Sequence, residues 1–199
     1  MHKNYSVIIE VGGPNIVRLE LGDITTYPAD AIVNAANSDL LPGAGVCGAI
    51  HRAAGPQLAE ECRRLRSQHG PVLPGESVST KAGHLQAKYV IHTVGPVWHG
   101  GTQGEPELLS SSYRESMRIA DQLRLHSIAF PAVSTGVFGY PLQQAASVAI
   151  STLVESLQRS RHLVSVFVVL FDKSTLDTFA SVAIQQAGAP YQVIIADHV

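Results

Sequence analysis

Charge of either sign is scarce in this chain of 199 residues. Fourteen lysines and arginines face 16 aspartates and glutamates, a net charge of −2 with histidine neutral, and the isoelectric point lies near 6.5. No basic excess draws the chain to nucleic acid or to an anionic membrane, so general nucleic-acid binding is not expected and any anionic ligand must be met by a local site. Long apolar runs are also missing. The N-terminal stretch MHKNYSVIIEVGG is too short in apolar residues for a signal peptide, and the longest run elsewhere, residues 163–171, has strand length and contains Ser165. No membrane partner and a cytoplasmic location are the expectations. Cysteine is limited to Cys47 and Cys62, which suits a reducing compartment better than a disulfide framework. Nine histidines show no H-x-x-x-H spacing and no C-x-x-C occurs, so no protein-bound metal is expected. The Gly-Lys-Ser/Thr of a nucleoside-triphosphate loop is absent, which argues against magnesium-dependent phosphoryl transfer, and no cofactor is implied.

Apolar residues make up 45% of the chain and charged residues 15%, without long charged blocks, a composition for a packed core rather than for disorder. The length suffices for one compact α/β domain over residues 1–199, with neither an internal repeat nor a linker to divide it. Short β-branched runs predict strands over residues 6–11, 16–21, 31–34, 76–80, 89–93, 127–131, 165–171 and 191–196. Gly12-Gly13-Pro14-Asn15 marks a turn between the first two, and later strands stand far enough apart for crossover helices. Ile50, Ala54, Leu58, Cys62 and Leu65 recur at helical spacing, broken at Gly55-Pro56, where Pro56 suits the start of a second helix. Leu109, Tyr113, Met117, Ala120 and Leu123 mark another helix, and Ala146, Ile150, Leu153 and Leu157 one more. Residues 97–106, rich in glycine, read as a loop. The expected architecture is a three-layer α/β/α sandwich with a central mixed sheet and an antiparallel edge.

Gly43-Ala44-Gly45-Val46-Cys47-Gly48 fits the letters of a dinucleotide-binding loop, G-x-G-x-x-G. Its surroundings do not. That loop follows directly on a strand and is succeeded about 20 residues on by an acid at the end of a second strand, whereas here residues 35–42 intervene and the chain past Gly48 is helical. A nicotinamide dehydrogenase is therefore not the expected reading. The physical feature that survives is a glycine loop before a helix, whose backbone N–H groups can meet a pyrophosphate. Ser134-Thr135-Gly136-Val137-Phe138-Gly139-Tyr140-Pro141, between a strand and a helix, repeats the design. Taken singly, either loop is an ordinary tight turn; two at one sheet edge favour a diphosphate held between them.

Five motifs in order carry a family resemblance: Gly22-Asp23-Ile24-Thr25; Ala31-Ile32-Val33-Asn34-Ala35-Ala36-Asn37; Gly43-Ala44-Gly45-Val46 followed by Gly48-Ala49-Ile50-His51; Tyr89-Val90-Ile91-His92-Thr93-Val94-Gly95-Pro96; and Phe130-Pro131-Ala132-Val133-Ser134-Thr135-Gly136. Together they resemble a macrodomain, the ADP-ribose-binding fold, over about residues 16–187. The resemblance implies that Asp23 accepts from the adenine amine, that the backbone N–H of Ile24 also meets the base, and that Phe171 stacks on adenine. From the residues alone, Asp23 could equally cap a turn and Phe171 could pack in the core. Asn37 is implied at the distal ribose and as a catalytic residue, while Asn34 reads as a structural turn residue. Gly43, Ala44, Gly45 and Val46 on one side, and Ser134, Thr135, Gly136, Val137 and Phe138 on the other, would enclose the diphosphate and distal ribose.

Relatives that remove mono-ADP-ribose usually read Leu-Leu-Gly-Gly-Gly-Gly-Val-Asp-Gly over the first loop. Here the stretch is Leu40-Leu41-Pro42-Gly43-Ala44-Gly45-Val46-Cys47-Gly48. Cys47 thus occupies the position of the family's catalytic aspartate. Similar proteins with alanine there are taken to remain active, which implies water held by the ligand's own phosphate. The implied function is binding of ADP-ribose and its hydrolytic release from mono-ADP-ribosylated targets or from O-acetyl-ADP-ribose. The alternative, for which Cys47 speaks, is a binding module without turnover. Partners are then ADP-ribose or an ADP-ribosylated macromolecule. Cys47 with His51 four residues on could form a nucleophile and base, but no orienting group is visible, and small buried cysteines are mostly core residues. His92, on a buried strand, reads as a hydrogen-bonded structural histidine.

Overall fold

The computed structural model of the chain describes residues 5–188 and 191–197. Eight strands form one sheet: β1 (Tyr5–Gly12), β2 (Asn15–Leu21), β3 (Ala31–Ala35), β4 (Ser77–Lys81), β5 (Tyr89–Thr93), β6 (Ser127–Phe130), β7 (Ser165–Leu170) and β8 (Gln192–Asp197). Their order across the sheet is β4-β5-β3-β6-β7-β2-β1-β8. The five central strands β5, β3, β6, β7 and β2 are mutually parallel. Such strands are covered on both faces, and their near-continuous apolar character follows.

Period-two alternation sorts the side chains. In β3, Ala31 and Val33 face one core while Ile32 faces the other. The larger core lies under α3 (Glu105–Gln122), α4 (Leu142–Arg159) and α5 (Lys173–Gln186), with Tyr113, Phe130 and Phe179 fully buried in it. The smaller core lies under α1 (Gly45–Ala54) and α2 (Pro56–His69), where Ile50, Ala54, Leu58 and Cys62 meet Ile32 and Val90. Each large side chain so buried contributes roughly 1.5–3 kcal/mol. The result is the expected α/β/α sandwich.

Three expectations need correction. The sheet is antiparallel at both margins, not one: β4 pairs with β5 directly, because residues 82–88 between them form a loop rather than a crossover helix. Helix α5 was not anticipated, although Asp172 caps it, accepting from Thr175 N at 2.9 Å, and Leu176, Phe179, Ala180 and Ala183 give it an apolar face. Helix α3 starts at Glu105, inside the stretch read as loop, with Pro106 at its second position. The break at Gly55-Pro56 is as expected: Gly55 has φ 79° and Pro56 opens α2.

Candidate functional site

All five parallel strands end at one edge of the sheet, and ligand sites of open α/β sheets lie outside that edge. The exposed apolar residues gather there. Of nine exposed large apolar side chains among the described residues, Leu21, Leu41, Leu73, Val97, Val137 and Phe171 lie on the segments at this edge. Between the ends of β3 and β6 is a cleft of about 190 Å³ lined by Ala44, Gly45 and Val46 from one loop and by Ser134, Gly136, Val137 and Phe138 from the other. A larger hollow of about 570 Å³ on the outer side of α2 is lined by Glu60, Glu61, Arg63 and Arg64.

The first wall is a helix N-terminus without a cap. Ala44 holds the N-cap position of α1 and offers no side-chain hydrogen bond, so the first N–H groups of α1 have no local acceptor. They present partial positive charge to the cleft. The glycine pattern has a steric cause here. Gly45 has φ 58°, and a Cβ on Gly48 would sit 2.3 Å from the Gly43 carbonyl oxygen, so only glycine lets loop and helix close to this distance.

The second wall is loop 134–138. The N–H groups of Gly136, Val137 and Phe138 donate to no group among the described residues. Val137 is 89% exposed at the tip, and Phe138 is half-buried below it. The Thr135 hydroxyl donates to the Ala132 carbonyl at 2.9 Å, and the Thr135 N–H is directed to the same carbonyl at 3.5 Å, which leaves the hydroxyl lone pairs to accept from a ligand. Buried Tyr113 of α3 fixes the root of the loop, its hydroxyl accepting from Val133 N at 3.2 Å. Ser134 has φ 67° and Leu40 φ 56°, two of the three non-glycine residues with positive φ among the described residues, one beside each wall. Such backbone costs about 1–3 kcal/mol per residue and collects at functional sites.

Between the walls a line of polar side chains runs into the protein. Asn37 Nδ2 donates to the Leu41 carbonyl at 2.7 Å, and its Oδ1 accepts from Leu41 N at 3.1 Å. One amide proton and one lone pair of Asn37 stay available. The Cys47 thiol donates to the same carbonyl at 3.6 Å and lies 3.6 Å from Asn34 Nδ2, which in turn stands 3.1 Å from His92 Nδ1. Donation from Asn34 makes Nδ1 the acceptor, so the His92 proton is on Nε2, 2.9 Å from Thr80 Oγ1. Asn34 is therefore a fully buried strand residue of β3 and not the turn residue read from the sequence: its Asn-Ala-Ala-Asn setting suggested a turn, but pairing with β5 through His92 holds it in the sheet. Burial, and after it His51, push His92 down to about 3, which keeps it neutral and structural. His51 is also lowered by burial, and neither ring nitrogen finds a partner among the described residues. Burial raises Cys62 to about 12. Among the described residues no three His, Cys, Asp or Glu side chains converge as a metal site would require.

The far end of the edge carries the remaining pair. Asp23 caps the 3-10 turn Ile24–Thr26, accepting from Thr25 N at 2.9 Å and from Thr25 Oγ1 at 2.7 Å, while Ile24 is buried. Gly22 N donates to the Leu170 carbonyl at 2.9 Å, which sets Asp23 beside Phe171. Phe171 is 84% exposed, so the core-packing alternative falls: β7 ends at Leu170 and the next side chain leaves the sheet.

A family model described as Macro domain matches residues 33–149. The chain belongs to the macro domain family. A macro domain-containing protein of Chlorobaculum tepidum is 53% identical over 79% of this chain and 89% of its own length. A protein of Salmonella typhimurium named O-acetyl-ADP-ribose deacetylase is 50% identical over 85% of this chain and 94% of its own. In three dimensions, a variant of the Oceanobacillus iheyensis macrodomain solved with ADPR superposes with a TM-score of 0.86 at 37% identity, covering 90% of this chain and 97% of that one.

Within this macrodomain, sequence reasoning passed over several cleft residues. Ala35, Ala36, Gly95, Ala132 and Val133 complete the lining. Gly95 left a signal: it stands two residues past the end of β5 and directly before Pro96, where a Cβ would stand 2.1 Å from Ser134 Oγ. The alanines left none, because a small residue is informative only once the backbone opposite it is known.

Proposed function

We propose that this macrodomain binds ADP-ribose along the carboxyl edge of its sheet and hydrolyses ADP-ribose esters. The observation that carries the reading is the convergence of two sets of uncommitted backbone N–H groups, from the start of α1 and from loop 134–138, on one cleft. Such donors neutralise a diphosphate without lysine or arginine, which fits a chain of net charge −2. Asp23 and Phe171 take adenine, the loops take the diphosphate, and Asn37 takes the distal ribose with its remaining amide proton and lone pair.

The substrates are O-acetyl-ADP-ribose and mono-ADP-ribosylated targets, in the first place carboxylate esters. For the acetyl ester, a water held by the ligand's phosphate bonds to the carbonyl carbon, the ester C–O bond breaks, and the ribose oxygen leaves with the water's proton, giving acetate and ADP-ribose. The route is substrate-assisted and uses no protein-bound metal. The name carried by the 50% identical Salmonella protein supports it. The chain works as a single macrodomain in the reducing cytoplasm, which suits two free cysteines.

Cys47 favours a second reading, a module that holds ADP-ribose without turnover, because a thiol donating to the Leu41 carbonyl activates no water. Mass spectrometry separates the two: the protein is incubated with O-acetyl-ADP-ribose and with targets modified at glutamate, serine or arginine. Free ADP-ribose accumulating beyond one equivalent supports the hydrolase; binding without release supports the module.

A further inference from the structure

We propose that Glu105 is a positioning residue for loop 134–138, acting through Trp98. The inference rests on reading the cleft as a diphosphate site. Glu105 opens α3 and is 1% exposed, yet among the described residues it pairs with no cation. Its carboxylate is wrapped by backbone instead: Oε1 accepts from His99 N at 2.9 Å and Gly101 N at 3.1 Å, and Oε2 accepts from Gln103 N at 2.6 Å. The wrap depends on left-handed glycines, with φ 97° at Gly100, 80° at Gly101 and 79° at Gly104. Burial raises the carboxyl, but its own N–H and those of His99, Gln103 and Gly101 outweigh that and hold it at about 2, so it stays charged.

The wrapped segment reaches the cleft through one residue. Trp98 N donates to the Phe138 carbonyl at 2.8 Å, and its ring packs on Tyr140 at 4.5 Å between centroids. Tyr140 N in turn donates to the Ser134 carbonyl at 3.0 Å, so both ends of loop 134–138 are tied to the Trp98–Tyr140 unit. Gly101 closes over the indole so tightly that a Cβ would stand 2.7 Å from it. Glu105 thus gathers residues 99–103, Gly101 clamps Trp98, and Trp98 sets the height of the loop whose N–H groups face the cleft.

Glu105→Gln replaces one acceptor oxygen by an NH₂ group that confronts a backbone N–H, which loosens the wrap. The expected result, by calorimetry on the full chain, is an ADP-ribose affinity lower by ~10-fold to ~10²-fold, with AMP, which ends at the first phosphate, changed by less than about threefold. Gly101→Ala, which keeps the Glu105 carboxylate but strains the left-handed turn at φ 80° and crowds the Trp98 ring directly, should give the same selective loss and carries the test if Glu105→Gln does not fold. Trp98 is the only tryptophan in the chain, so its emission should shift when the wild type binds ADP-ribose and shift less with AMP. A variant that loses both ligands equally, or neither, overturns the inference. A wild type that binds no ADP-ribose overturns the reading of the cleft and this inference with it; a wild type that binds it, with both variants unchanged, overturns this inference alone.

Discussion

The side chain of Asn37 closes a two-point clasp on the backbone of Leu41, donating to its carbonyl at 2.7 Å and accepting from its N–H at 3.1 Å. The clasp shapes the entry to the first glycine loop and leaves half of the amide for a ligand. Asn37→Ala removes both, and turnover should fall by ~10²-fold, as for a reacting group no longer held in place. Asn37→Asp keeps the acceptor but sets a carboxylate against the Leu41 carbonyl, so it should not rescue activity. Single-turnover release assays at saturating protein check both; an active Asn37→Ala protein contradicts the role.

Cys47→Ala should retain turnover close to wild type, because the thiol makes only contacts of 3.6 Å to Leu41 O and Asn34 Nδ2. In Cys47→Asp the carboxylate meets the N-terminus of α1, which favours it, and gains Asn34 Nδ2 as a donor, but it faces the Leu41 carbonyl. The expected outcome is faster release from carboxylate-linked substrates once the loop adjusts. A dead Cys47→Ala protein that still binds ADP-ribose, together with protection of the wild type from iodoacetamide by ADP-ribose, would instead indicate a covalent thiol route.

Phe171→Ala separates binding from stability. Its ring is 84% exposed, so unfolding free energy should change by less than about 0.5 kcal/mol. Loss of a base-stacking surface should still weaken ADP-ribose binding by about 1–3 kcal/mol. Chemical denaturation and calorimetry on the same protein give both numbers, and an unchanged affinity removes Phe171 from the adenine site.

Acid sensitivity should begin with the histidines. His92 is held at about 3 against an ordinary 6.5, and His51 is lowered as well. Both are depressed bases, so the unfolded chain takes up protons below 6.5 that the folded chain refuses. Stability is therefore full above that value and falls as pH drops, for His92 from 6.5 toward 3 by up to about 1.4 kcal/mol per pH unit, with His51 adding loss in the same direction. Lowered carboxyls such as Asp30, Asp121 and Glu105 add loss in the same direction below their ordinary range. Urea midpoints from about pH 7 to about pH 5 should decline in the wild type and decline less in His92→Gln; a flat wild-type profile refutes the assignment.

The five central strands were legible because parallel strands buried on both faces must be apolar along their length, and the antiparallel β1, β4 and β8 because β-branched residues mark them between turn signals; all eight were placed to within a residue or two. Helix α5 escaped because its apolar face is made partly of alanine and is interleaved with Ser174, Thr175, Thr178 and Ser181, a weak pattern beside α3 and α4. Asn34 and Asn37 differ by three positions and look alike in sequence; only the pairing of β3 with β5 shows one locked beneath the sheet edge and the other at its rim. Glu105 carried no signal at all, since an acid beside glycines and proline reads as solvated loop until the three N–H groups around it are seen.

The central claim is tested most directly by calorimetric titration of ADP-ribose into the wild type and Asp23→Ala proteins. The account predicts one saturable site in the wild type in the micromolar range, about −8 kcal/mol, with affinity lower by about 1–3 kcal/mol in Asp23→Ala. Absence of heat with ADP-ribose, in a wild type shown to be folded, would contradict it, and so would an Asp23→Ala protein that binds as tightly as the wild type.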